Sequence, residues 1–447
     1  MFNDRFSASL LIGWLLLIAG CSTSNTAQSS ANSSVAEATS QTATAPISAP
    51  SAPLVVEPSN PDAKTTVIVQ QYLKKLSSQG FSQTSQGVWM QAGNKLLANH
   101  QGTTPLPAAS LTKVATSLAA LQTFGADHRF ETTFGTNGTI ENGVVKGDLI
   151  VQGNDDPFFV WEEAIAVGNQ LNQMGIKQVT GDVIVVGRFF MNFEVQPGKA
   201  GALLKQSLNS KSWSGEAQAQ YQTLPPGTPR PTVAIAGSVK SAPNPPANGT
   251  TLVRHRSLPL AELLKKMNRF SNNTMAEIVA SSAGGAEGVA SKAAKAANVP
   301  KSEILLVNGS GLAVENRISP RAVTAMFLAI EHYLKPAKMT IADIFAVVGR
   351  DDGILDGRKL PAGLVTKSGS LNEVSALAGA LPTNQKGVVW FVVMNGGGVN
   401  LEGFRASQET LLNSLSNQWG VAKLSPANLV ANRERANLKS IVEKANF

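Results

Sequence analysis

The sequence holds a single cysteine in 447 residues, Cys21, which excludes an intrachain disulfide and any cysteine-rich metal site. Its four histidines, His100, His128, His255 and His332, form neither an HExxH pattern nor another ligand spacing. No metal and no other cofactor is expected on these grounds. Charge is scarce as well: Asp, Glu, Lys and Arg make up 15% of the chain, well under the usual quarter. The net charge of +8 comes from a shortage of acids, and Lys265-Lys266 is about the densest basic cluster, so a nucleic-acid partner is not expected. The apolar run from Ala8 to Ala19 is too short to cross a bilayer as a helix, which takes about 20 residues. What remains is 43% hydrophobic, a globular balance, in a chain long enough for two or three domains.

Arg5, the short apolar run and the small residues after it match a secretory signal. Ile18-Ala19-Gly20-Cys21 resembles the lipobox of bacterial lipoproteins, which implies a signal peptide over residues 1–20 and an acylated Cys21 as mature N-terminus. Ser22, rather than Asp, follows the cysteine, and by analogy with Gram-negative sorting this favours the outer membrane. The expectation is an exported, periplasmic, lipid-anchored protein. From Ser22 to Pro53 the chain is rich in Ser, Thr, Ala, Gln and Pro, with Glu37 as its only charge. It has too few large apolar groups to offset chain entropy, so residues 21–63 are expected to form a disordered tether. No internal repeat is evident.

Val67, Tyr72, Leu73 and Leu76 suggest a first helix, followed by a strand pair around Ala92-Gly93-Asn94. The segment Ser110 to Leu121 is a strong helix candidate, with Leu111, Val114, Leu118 and Leu121 on one buried face. Short strands and hairpin-type turns at Asn137-Gly138 and Asn142-Gly143 then predict a β-rich piece, interrupted by a helix at Trp161 to Met174. Proline-rich stretches at Leu224 to Pro231 and Pro243 to Pro246 mark loops or a boundary. Helices are predicted again at Leu260 to Phe270 and Thr274 to Ser281. Strands at Leu364 to Ser370, Ser375 to Leu381 and Gly387 to Met394 precede a helix at Glu402 to Trp419. This is an α/β or α+β chain with an inserted β-rich piece.

Three fragments can carry chemistry. Ser110-Leu111-Thr112-Lys113 places a hydroxyl and an ammonium nearly one helical turn apart, on one face. Burial and a second cation would lower the lysine's pKa and make it a base, and a helix N-terminus would favour the alkoxide. Taken singly, the fragment also fits a capping serine and a surface lysine. Ser271-Asn272-Asn273 falls between two predicted helices, where an N-cap is the ordinary reading. Lys367-Ser368-Gly369-Ser370 ends a predicted strand, where an edge lysine and a turn would serve equally. Together, in the order SxxK, SxN, K[ST]G, they form the set found in class A β-lactamases and penicillin-binding proteins.

The sequence thereby resembles the penicillin-binding D-Ala-D-Ala carboxypeptidase/endopeptidases of low-molecular-mass class C. Further stretches carry the likeness: Pro107 to Lys113, Gly147-Asp148-Leu149-Ile150, Gly181-Asp182-Val183-Ile184, Asn308 to Leu312, Asn316 to Pro320 and Ser375 to Gly379. The spacing from Ser110 to Ser271 is longer than a compact β-lactamase uses, as expected for a family with an insertion there, although that insertion is commonly longer than here. Asn308 stands where the family often has Asp, and Ser368 where Thr is commoner.

The resemblance implies a serine β-lactamase/transpeptidase-like fold, an antiparallel sheet flanked by helices with an inserted β-rich subdomain. Residues 64–126 and 250–424 would form the peptidase domain, 127–249 the insertion and 425–447 a C-terminal tail. It further implies that Ser110 attacks the carbonyl of the penultimate D-Ala of a peptidoglycan stem peptide, Lys113 takes its proton, Ser271 relays a proton to the leaving amine, and Asn273 holds Lys113 and the substrate. Lys367, Ser368, Gly369 and Ser370 would bind the terminal carboxylate, with N–H groups of Ser110 and Ser370 as oxyanion hole. β-Lactams would be bound as well. Ser310, in Gly309-Ser310-Gly311, is a competing nucleophile without a base at useful spacing. The alternatives are a β-lactamase or esterase on the same scaffold, or an inactive cell-wall-binding lipoprotein.

Overall fold

Strands from the two ends of the chain meet in one sheet. The structure is a computed structural model that describes residues 53–422 and 425–445. Cys21, the signal and the lipobox lie outside the described residues. So does most of the expected tether, but its last stretch is packed: Val55 is buried in the core and Pro58 O accepts from Asn99 Nδ2 at 2.9 Å.

The described residues form ten α-helices: α1 (Ala63–Ser78), α2 (Thr112–Phe124), α3 (Trp161–Gln173), α4 (Pro197–Ser207), α5 (Gly215–Tyr221), α6 (Leu260–Arg269), α7 (Asn273–Ser282), α8 (Gly285–Ala297), α9 (Pro320–Leu334) and α10 (Leu401–Trp419). The central six-stranded antiparallel sheet runs in the order Ala346–Val347, Val365–Leu371, Val374–Thr383, Gly387–Asn395, Gln86–Ala92, Lys95–His100. Side chains alternate between its faces, and both faces are covered. Val389, Phe391 and Val393 point to a core shared with α1 and α10. Trp390, Val392 and Met394 point to a second core, shared with α2 and α6 to α9. This antiparallel sheet flanked by helices is the architecture expected from the sequence.

Helix α2 differs from the amphipathic expectation, because every residue from Thr112 to Leu121 is buried and not one face alone. Its Ala, Ser and Thr residues are small enough for α6, α7, α8 and α9 to pack around it. Burying a side chain such as Leu118 contributes roughly 2–3 kcal/mol, and the ring of such contacts holds the helix start in place.

Residues 131–188 supply three strands of a second six-stranded sheet, ordered Val239–Ala242, Val183–Arg188, Leu149–Asn154, Glu131–Thr136, Thr250–Arg256, Ile441–Lys444. Its fifth strand lies beyond residue 249 and its sixth comes from the C-terminal tail. The first three strands are parallel, which requires crossovers, and α3 and α4 supply helices there. Of the two hairpin signals, Asn142-Gly143 joins a true antiparallel pair. Asn137-Gly138 does not, since the strands on its two sides belong to different sheets. Asn137 instead exchanges hydrogen bonds with Asp148, at 2.8 and 2.9 Å.

The structure also corrects the absence of a repeat. Val145-Lys146-Gly147-Asp148 and Val179-Thr180-Gly181-Asp182 occupy equivalent corners between the second sheet and a small third one, and Gly237-Ser238 makes a third corner. Gly181 N donates to Gly147 O and Gly237 N to Gly181 O, both at 2.9 Å. Asp148 accepts from Asp182 N at 2.7 Å, and Asp182 from Ser238 N at 2.6 Å. The corners stack like steps. Their sequence likeness is short and the intervening loops unequal, which hides the period.

Candidate active site

Ser110 sits in a single 3-10 turn, Ala109–Leu111, that leads into α2. Ala109 takes φ +45°, a left-handed conformation that costs a non-glycine residue about 1–3 kcal/mol. Gly311 closes on this turn from the loop opposite. It has φ +87°, and a Cβ there would lie 1.9 Å from Ala109 O. The serine hydroxyl is thereby presented beside the positive end of a 13-residue helix.

Lys113, one turn on, is 0% exposed. Its Nζ donates to Ser110 Oγ at 3.0 Å, Asn273 Oδ1 at 2.7 Å and Ser310 O at 2.7 Å. Burial pushes its pKa down to about 7, against the opposing pull of the Glu277 carboxylate. Of its three partners, only the Ser110 hydroxyl can give a proton back. When the ammonium loses its proton, two N–H groups stay committed to the oxygens of Asn273 and Ser310, and the lone pair faces Ser110.

The Ser271 fragment divides its labour. Asn272 is the N-cap of α7, accepting from Met275 N at 2.9 Å. Asn273 is thereby placed as the first residue of the helix, and Ser271, at φ +51°, turns its hydroxyl to Lys367. Lys367 is no solvent-exposed lysine. It lies within the strand Val365–Leu371, is 1% exposed, and donates to Ser271 Oγ at 2.9 Å and Ser368 O at 2.6 Å. Burial, with the nearby charge of Lys113, holds its pKa well below the ordinary lysine value. Burial, the first of the two causes expected from the sequence, leads at both lysines, and the repulsion between their charges, which acts on each, adds to it. Gly369 lets this strand lie against the nucleophile, since a Cβ there would be 2.9 Å from Ser110 N.

The structure brings the sequence-predicted residues together. Ser110, Ser271, Asn273, Ser368 and Ser370 line one cleft of about 440 Å³, with Lys113 and Lys367 buried behind them. Ser310 is a neighbour rather than a rival: it is 0% exposed, its Oγ accepts from Leu312 N at 3.3 Å, and its carbonyl is what meets Lys113. Asn308 needs no charge where it sits, because its Oδ1 accepts from Gly311 N at 2.9 Å and from Asn316 Nδ2 at 2.5 Å.

Sequence reasoning missed two contributors. Glu277, four residues after Asn273 on the same face of α7, accepts from Gly309 N and Ser310 N at 3.0 and 2.9 Å. Its spacing to Asn273 was the available signal. Arg405, on the first turns of α10, donates from Nη2 to Ser370 Oγ at 3.1 Å and lines the same cleft. No local pattern connects it to the strand it meets.

Residues 69–210 and 229–417 match the D-Ala-D-Ala carboxypeptidase 3 (S13) family. The chain belongs to that family. Its class is that of a serine-type D-Ala-D-Ala carboxypeptidase, a hydrolase, as the motif resemblance implied. D-alanyl-D-alanine carboxypeptidase DacB of Haemophilus influenzae is 25% identical over 393 residues, spanning 66% of this chain and 81% of that one. The crystal structure of penicillin binding protein 4 from Haemophilus influenzae superposes with a TM-score of 0.60 at 20% identity, covering 78% of this chain and 99% of that one. A predatory peptidoglycan endopeptidase from Bdellovibrio bacteriovorus gives a TM-score of 0.62 at 20% identity, covering 79% and 98%. These likenesses establish the transpeptidase-like fold of the S13 chain.

Proposed function

We propose that this S13 member is a periplasmic DD-peptidase that cleaves peptidoglycan stem peptides through an acyl-enzyme on Ser110. The observation that carries the reading is the contact of Ser110 Oγ with a buried Lys113 whose pKa is about 7. Neutral Lys113 takes the hydroxyl proton as Ser110 Oγ bonds to the carbonyl carbon of the penultimate D-Ala. The C–N bond to the terminal D-Ala breaks, and its nitrogen receives the proton through Ser271, which bridges towards Lys367. Water then hydrolyses the ester. Backbone N–H groups of Ser110 and Ser370 stabilise the oxyanion on the wall that Gly369 keeps narrow. Ser368 and Ser370 face the leaving residue. Penicillins acylate the same serine, in keeping with a related Bdellovibrio endopeptidase solved in a penicillin G-acylated form.

The same steps open a cross-link whose D-Ala carbonyl is joined to a neighbouring stem, so endopeptidase activity belongs to the proposal. Export and a lipid anchor at Cys21 complete it, supported by the sequence of residues 1–21. Intact-mass measurement with benzylpenicillin tests the core of the reading. One adduct is expected, on the peptide containing Ser110 and absent in Ser110→Ala; an adduct persisting in that variant would refute it. Turnover of purified muropeptides, weighed by mass, separates loss of D-Ala from cross-link cleavage. Cys21→Ser should release the protein from membrane fractions.

A further inference from the structure

The proposed substrate ends in a carboxylate, and the buried lysines are poorly placed to greet it. Lys367 is 1% exposed, its Nζ is committed to Ser271 Oγ and Ser368 O, and burial beside Lys113 disfavours its charge. Two arginines line the cleft, Arg358 and Arg405. Arg358, from the loop before the strand Val365–Leu371, is already bound to α10, through Glu409, Gln408 and the Arg405 carbonyl. Arg405 is different. Nη2 reaches Ser370 Oγ at 3.1 Å, Nη1 meets Glu402 Oε1 at 2.6 Å, and its buried Nε has no partner. Glu402 is 81% exposed, and such surface pairs contribute little to stability, so this counter-ion is readily exchanged.

We propose that Arg405, paired with Ser370, is the positively charged group that binds the substrate's C-terminal carboxylate, leaving Lys367 to the proton path through Ser271. The inference rests on the DD-peptidase reading above. A carboxylate one residue beyond the scissile carbonyl must lie on the same wall as the Ser370 N–H, and Arg405 touches that wall. Its planar, permanently charged fork matches a carboxylate with two parallel hydrogen bonds, and Ser370 Oγ then supplies a third donor. Glu402 would move towards solvent as the ligand's carboxylate takes its place.

The test compares kcat/KM for a D-Ala-D-Ala peptide with that for its C-terminal amide, in wild type, Arg405→Gln and Arg405→Lys. Wild type should prefer the acid. Arg405→Gln should lower that preference at least about tenfold, mainly through KM, and Arg405→Lys should recover part of it. A preference unchanged in Arg405→Gln overturns the assignment, as does an equal loss on acid and amide, which would mark Arg405 as structural. Penicillin acylation of the wild type is measured alongside. Its absence would sink the DD-peptidase reading itself, a result distinct from either outcome for Arg405.

Discussion

A lysine serves as a base only if it reaches the reaction unprotonated, and the surroundings of Lys113 meet that condition by burial. Acylation of Ser110 should therefore rise with pH through an apparent midpoint of about 7, because the neutral form dominates above that value. Glu277 works in the opposite sense, favouring the charged lysine. Glu277→Gln should move the limb to lower pH, measured as the second-order rate of benzylpenicillin acylation; a shift upward, or none, would remove Glu277 from the electrostatics of the site. Lys113→Ala leaves the serine unassisted, and a loss of up to about 10⁶ in kcat is expected by analogy with other serine enzymes. Circular dichroism of the same sample should show a folded protein.

The site depends on elements meeting with little slack, and the loop through Gly309-Ser310-Gly311 shows how little. Asn316, 0% exposed, holds that loop by accepting from Val307 N at 2.7 Å, while Thr116 Oγ1 donates to Gly309 O at 2.7 Å from within α2. Gly311→Ala would drive a methyl group into Ala109 O and also strain a left-handed backbone. The variant should lose penicillin acylation by at least about 100-fold through displacement of Ser110; acylation at the wild-type rate would show that the turn can yield. These local demands explain what could be read from sequence. SxxK, SxN and K[ST]G were legible because each fixes a residue type at short spacing on one element. The terminal strands were legible because their apolar runs are long. Arg405 and the stacked Gly-Asp corners were not, because their partners are set by tertiary contact. The single buried face expected for α2 failed for a similar reason: period reports where large apolar groups lie, but Ala, Ser and Thr can be buried on any side when neighbours pack close.

At the scale of the whole molecule, the C-terminal tail works as a strap. Leu429 enters the core beside the α9 region, and Asn432 N donates to Asp343 Oδ1 at 2.9 Å. Arg435 then binds Glu262 of α6 with two nitrogens, at 2.7 and 2.9 Å, and Asp127 with a third at 2.6 Å. Further on, Lys439 O accepts from Arg129 at 2.8 Å, and Ile441–Lys444 covers the edge strand Thr250–Arg256. One segment thus joins the helical core to the second sheet, far along the chain from both. Truncation after residue 424 would expose the apolar seat of Leu429, leave Glu262 without its bidentate partner, and open a sheet edge to pairing with other molecules. Burial of one leucine is worth roughly 2–3 kcal/mol and the partly buried charge-assisted bonds about as much again. At about 2–4 °C per kcal/mol for a domain of this general size, the melting temperature should fall by roughly 10 °C. None of these residues touches the cleft, so the truncated protein, while folded, should still take one penicillin on Ser110. A thermal melt unchanged by the truncation would show that the tail merely rests on the surface. A melt lowered together with loss of the adduct at 20 °C below the new midpoint would show instead that the strap sets the geometry of the site.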